Sequence, residues 1–88
     1  MYSVLSGSME STYYSGDVII VKNKSRVKLE VNDIITFRED NKVVTHRIID
    51  KTDKGYLTKG DNNQSTDKKV LLKEDVIGEV YLQIPKVG

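Results

Sequence analysis

Three times in 88 residues an aspartate stands immediately ahead of an aliphatic pair: Gly16-Asp17-Val18-Ile19, Asn32-Asp33-Ile34-Ile35 and Glu74-Asp75-Val76-Ile77. Each reads as a turn delivering a strand, the aspartate bonding back to nearby backbone. Gly16 and Asn32 suit this, because both residue types tolerate positive φ. Between such turns lie short runs rich in Val, Ile, Thr and Tyr, the residues that fit a pleated surface. The spacing predicts strands at Asp17–Lys22, Asp33–Arg38, Val43–Asp50, Tyr56–Lys59 and Val76–Ile84. Turns are expected at Ser15-Gly16, Asn32-Asp33, Glu39-Asp40-Asn41, Lys54-Gly55 and Gly60-Asp61-Asn62-Asn63. No stretch sustains a helical period, and one helical turn about Lys73–Asp75 is the most the pattern allows. The expected fold is mainly β, a compact antiparallel arrangement in one domain.

The bulk numbers exclude several function classes. Without cysteine there is neither a disulfide framework nor a thiolate zinc site. Fourteen basic against thirteen acidic residues leave a net charge of +1, which gives nucleic acid no basic face to recognise. Base stacking would have to rest on five Tyr and one Phe. The longest aliphatic run, Val18-Ile19-Ile20-Val21, is far too short for a bilayer span. No signal-peptide pattern opens the chain, so as written it reads as soluble.

Residues that could do chemistry are few. The only histidine, His46, lies in "NKVVTHRIID", where alternation puts it on one strand face with Val44 and Ile48. Val43, Thr45, Arg47 and Ile49 take the other face. Taken alone, a histidine between aliphatic neighbours is more often a hydrogen-bonded core residue than a catalyst, and only its companions in the sequence favour the base. Near the start, "SGSME" sets Ser8 beside Gly7, which leaves its hydroxyl open to approach. A serine becomes nucleophilic when a base takes its proton and a third group holds that base in the right tautomer. Asp61, following Gly60 at the end of a strand, and Asp67 can each supply the third group. A compact sheet readily closes the 38 residues from Ser8 to His46 and the 15 from His46 to Asp61. Taken singly, Gly-Asp-Asn-Asn is also a plain turn, or a cation loop with too few carboxylates for calcium.

In order along the chain, "SGSME", Ser15-Gly16-Asp17, Asp33-Ile34-Ile35-Thr36-Phe37, Thr45-His46-Arg47 and "KGDNN" resemble type I signal peptidases. The resemblance runs from Val4 to about Gly88. It is to the serine/histidine branch of archaea, the endoplasmic reticulum and some Gram-positive bacteria, since His46 stands where the other branch has a lysine. It implies a signal-peptidase-type β fold and a serine endopeptidase cutting secretory preproteins, or pilin-like substrates, after small side chains. Ser8 matches the nucleophile and His46 the general base. Asp61 and Asp67 both match aspartates of the "GDNN…D" box, and either can orient His46, with Asp61 placed slightly first. Ser6 matches a hydroxyl that joins the Ser8 N–H in holding the oxyanion, though it reads equally as a loop cap. Met9 is expected to pack under the nucleophile, and Arg47 to form an ion pair on the face away from His46. No metal or organic cofactor is implied.

Two positions depart from the family pattern. Ser11 replaces a usual proline, which should loosen the turn behind Ser8. Asn32 replaces a usual glycine but can take the same backbone shape. Relatives carry membrane helices flanking this region, so the chain is expected to be a catalytic domain, residues 1–88, without its anchors. The native enzyme would then sit at the extracytoplasmic face of a membrane. Two rival readings accompany this one. A non-catalytic β-module would bind pilin or preprotein segments without cutting them. A self-cleaving repressor-type protease would need Lys59 or Lys22 as base, and neither falls in a matching box.

Overall fold

The computed structural model describes residues 2–3, 9, 12, 16–26, 28–67 and 69–84. Ser6, Ser8, Ser11 and Ser15 lie outside the described residues. Among the described residues seven strands form one sheet: β1 (Tyr2–Ser3), β2 (Val18–Asn23), β3 (Ile34–Glu39), β4 (Lys42–Lys51), β5 (Gly55–Lys59), β6 (Leu71–Leu72) and β7 (Val76–Ile84). Their spatial order is β1-β2-β7-β3-β4-β5-β6, and each neighbouring pair is antiparallel. Among the described residues there is no α-helix, hence none able to cross a membrane. The helical turn expected at Lys73–Asp75 is a 3-10 turn, and a second follows β2 at Lys24–Arg26.

The five expected strands all form, with ends displaced by at most one residue. The turn chemistry is equally local. Gly16, Asn32 and Asp40 take φ of 94°, 82° and 53°, left-handed values that these residue types accept at low cost. The Asp33 carboxylate bonds back to the Glu30 N–H at 2.8 Å, as a turn aspartate should. Asp17 instead is buried and accepts from Gln83 Nε2 at 2.8 Å, a partner 66 residues away. The turn expected at Lys54-Gly55 forms: Thr52 and Gly55 exchange backbone hydrogen bonds around Asp53-Lys54, and Gly55 both closes this turn and opens β5.

The core lies on one face of β3, β4, β5 and the adjoining end of β7. Ile35, Phe37, Ile48, Tyr56, Leu71 and Val76 cluster there with Leu29, and Val44 packs against them. Full burial of such a side chain contributes about 1.5–3 kcal/mol. The β3–β4 register sets Ile35 opposite His46 and Phe37 opposite Val44, so the imidazole shares the core face. At Ile49 the β4–β5 ladder slips, pairing Ile48 with Thr58 but Asp50 with Leu57. The alternation read from the sequence therefore holds through Ile48 and is interrupted at Ile49 by this bulge.

Gly78 is required by close approach. A β-carbon there would lie 2.0 Å from the Lys22 carbonyl oxygen and 2.8 Å from Val21 Cγ1. Gly78→Ala should therefore destabilise by about 1–3 kcal/mol, read as a lower urea midpoint at unchanged m-value. Glu79, paired opposite Ile35 in β7, has its carboxyl pKa raised by burial, then by the facing Asp33 carboxylate and a hydrogen bond to it, with Lys22 opposing. A raised folded-state pKa means a stability penalty that is absent below the unfolded value and complete once pH exceeds the folded value. Glu79→Gln should thus raise Tm at pH 7, and the gain should vanish as pH falls to about 4 in thermal melts.

Candidate active site

His46 reaches the site because β4 carries it across the core face, where its side chain is only 10% exposed. A buried imidazole needs partners for its nitrogens. Asp67 supplies one: Nδ1 and Asp67 Oδ2 are 2.7 Å apart. Thr58, itself buried and opposite Ile48 in β5, fixes that carboxylate twice. Its hydroxyl donates to Asp67 Oδ2 at 2.5 Å, and its carbonyl accepts the Asp67 N–H at 2.8 Å. Phe37 meets the imidazole edge-on, with ring centroids 6.0 Å apart at 75°. An ionised carboxylate only accepts, so Nδ1 carries the hydrogen and Nε2 is the accepting nitrogen of the neutral ring. That is the tautomer a general base requires.

Asp61 goes elsewhere. Arg47, the next residue of β4, points to the opposite face and grips it bidentately, Nε to Oδ1 and Nη2 to Oδ2 both at 2.8 Å. The third guanidinium nitrogen, Nη1, donates to the Asn32 carbonyl at 2.8 Å. The Thr12 hydroxyl donates to Asp61 Oδ2 at 2.5 Å, and the Asp61 N–H approaches Met9 Sδ at 3.2 Å. The hydrogen bond from Arg47 chiefly holds the Asp61 carboxyl below the usual carboxylate range. Burial opposes it, while Thr12 and the charges of Arg47 and Lys59 assist.

The structure thus reverses the order in which the sequence ranked the two aspartates: Asp67, not Asp61, bonds to His46. Arg47 forms the ion pair expected of it. Met9 is buried at 1% exposure, while Ser8 and Ser6 lie outside the described residues. The lysines required by a repressor-type dyad stand apart from His46. Lys59 pairs with Arg47 across the ladder and so faces away from the imidazole, and Lys22 lies 5.8 Å from the Tyr81 ring centroid. Sequence reasoning missed Thr58 as the anchor of Asp67. Its signal was a hydroxyl two residues beyond Tyr56 on a core-facing alternation, where a buried oxygen must find a partner. Beside this cluster a groove of about 660 Å³ opens, lined by Phe37, Arg38, Thr58, Asp67, Val70 and Leu71 among others.

The arrangement can hold an imidazole as a proton acceptor. Residues 1–81 match the family model described as Peptidase S24-like. The chain is 48% identical over 80 residues to signal peptidase I W of Bacillus subtilis (strain 168), covering 84% of this chain and 42% of that protein. It is 37% identical over 99 aligned positions to the signal peptidase complex catalytic subunit SEC11 of Colletotrichum graminicola, covering 97% and 58%. To subunit SEC11C of Homo sapiens it is 33% identical over 99 positions, covering 97% and 52%. The chain spans roughly half the length of these relatives. Together they make it a homologue of signal peptidase catalytic subunits and a member of the Peptidase S24-like family.

Proposed function

We propose that this chain is the catalytic domain of a serine endopeptidase that removes N-terminal signal peptides from secretory preproteins after a small-x-small motif. The observation that carries this reading is the 2.7 Å contact between His46 Nδ1 and Asp67, made in a chain homologous to signal peptidases. Ser8 is the nucleophile, His46 the general base and Asp67 the acid that orients it. The enzyme works at the extracytoplasmic face of a membrane, on preproteins or pilin-like substrates bound in extended form.

In this mechanism His46 Nε2 takes the Ser8 hydroxyl proton as Oγ attacks the carbonyl carbon of the scissile peptide. Asp67 stabilises the resulting imidazolium without itself being protonated. The tetrahedral oxyanion is held by the Ser8 N–H and the Ser6 hydroxyl, donors of a kind that contribute roughly 3–4 kcal/mol. As the C–N bond breaks, His46 delivers the proton to the departing amine, the new N-terminus of the mature protein. A water, deprotonated by His46, then hydrolyses the Ser8 ester. The line from buried Thr58 through half-buried Asp67 to buried His46 supports catalysis over mere binding, because it holds the imidazole in the tautomer a general base requires.

The test is cleavage of a preprotein with an Ala-x-Ala site, followed by mass spectrometry of the new N-terminus. Ser8→Ala and His46→Ala should each reduce kcat by about 10⁶, and Asp67→Asn by about 10⁴. Near-native rates in either of the first two would remove the mechanism.

A further inference from the structure

We propose that Asp61 is a positioning residue, the hub of a clamp that fastens the segment following Ser8 to the strand that carries His46. This rests on the peptidase reading above and assigns Asp61 a different duty from Asp67. Four contacts converge on it. Arg47 binds its carboxylate through two nitrogens, Thr12 donates to the same carboxylate, and the Asp61 N–H meets Met9 Sδ. Arg47 is itself braced by the Asn32 carbonyl. Residues 9 and 12, separated from Asp61 by 52 and 49 positions in sequence, are thereby tied to one point.

The geometry explains why that point is useful. His46 and Arg47 are consecutive on β4 and face opposite ways, so one rigid peptide unit holds the base on one side and the clamp on the other. Met9 directly follows Ser8 in sequence. The route from base to nucleophile segment then runs His46, Arg47, Asp61, Met9 through contacts of 2.8 to 3.2 Å. Acyl transfer is sensitive to such referencing, since a misplacement of about 1 Å can cost 10²-fold in rate. A bidentate guanidinium–carboxylate pair suits the task because it fixes orientation as well as distance. Met9, nearly fully buried, adds a packed anchor of little conformational freedom. Residues 9 and 12, the two tethered positions, stand on either side of Ser11 in sequence.

Three readouts on the full chain test this. Asp61→Asn keeps the side-chain shape but weakens the grip of Arg47; it should lower kcat 10- to 100-fold with KM changed less than threefold. Amide hydrogen exchange at Met9 and Thr12 should accelerate at least tenfold. The chain has a single histidine, so the ¹⁵N signals of one imidazole report its tautomer directly. They should be unchanged in Asp61→Asn and altered in Asp67→Asn. Should Asp61→Asn fold poorly, Thr12→Val removes one tether and leaves the ion pair. It should give a several-fold loss of kcat and faster exchange at Met9. Asp61→Glu, which retains the charge, should recover part of the loss. Unchanged exchange at Met9 and Thr12 would overturn the clamp, as would an imidazole spectrum in Asp61→Asn resembling that of Asp67→Asn. Faster exchange with wild-type kcat would overturn its role in positioning. Absence of preprotein cleavage by the wild-type chain would sink the peptidase reading instead, leaving the exchange measurement to judge the tether.

Discussion

The burial of one imidazole on the apolar face of a small sheet sets the terms for what surrounds it. At 10% side-chain exposure the ring cannot rely on water for its hydrogen bonds. Asp67 meets that need, and a carboxylate brought this close to the core must itself be satisfied, which Thr58 does through its hydroxyl and its carbonyl. Phe37 closes the ring against the hydrophobic cluster. The outcome is a line of polar groups whose every member orients the next. Such a line specifies one tautomer, because the hydrogen bond at one ring nitrogen decides what the other can do.

The connection after β5 gives the sheet its chemical asymmetry. Two aspartates six residues apart in sequence end on opposite sides of β4. Asp61 meets Arg47 and Asp67 meets His46, because adjacent strand residues project to opposite faces. The two carboxylates consequently live in different surroundings. One is paired to a permanent cation and held ionised, and the other is matched to a ring that can gain or lose a proton. Residue type alone does not separate these roles; the partner does.

How much of this was readable beforehand follows from the range of the interactions. Strand segments, the Lys73–Asp75 turn and the positive-φ positions are local consequences of side-chain shape, so they stand in the one-dimensional pattern. The strands β1 and β6 were not readable, because two residues carry no period and exist only through their neighbours. The bulge at Ile49 was hidden for a similar reason: it is a property of the β4–β5 pairing rather than of β4. Gly55 was readable as a turn residue, but not that the Leu71 carbonyl comes within 1.8 Å of a would-be β-carbon there. Thr58 was visible as a strand residue and the turn after it was expected, yet how far the chain returns to set Asp67 against Thr58 is fixed only by the folded contacts.

By itself the sequence determined a mainly β chain, the identity of its one histidine, and an ordered set of motifs resembling signal peptidases. These depend on residue identity and near-neighbour spacing, which survive without a third dimension. Only the tertiary structure decided which aspartate bonds to the imidazole, and that Met9 and Thr12 both meet Asp61. Those choices turn on contacts spanning 21 to 52 residues. They turn also on which face of β4 each side chain meets, which is settled only when the strands pair.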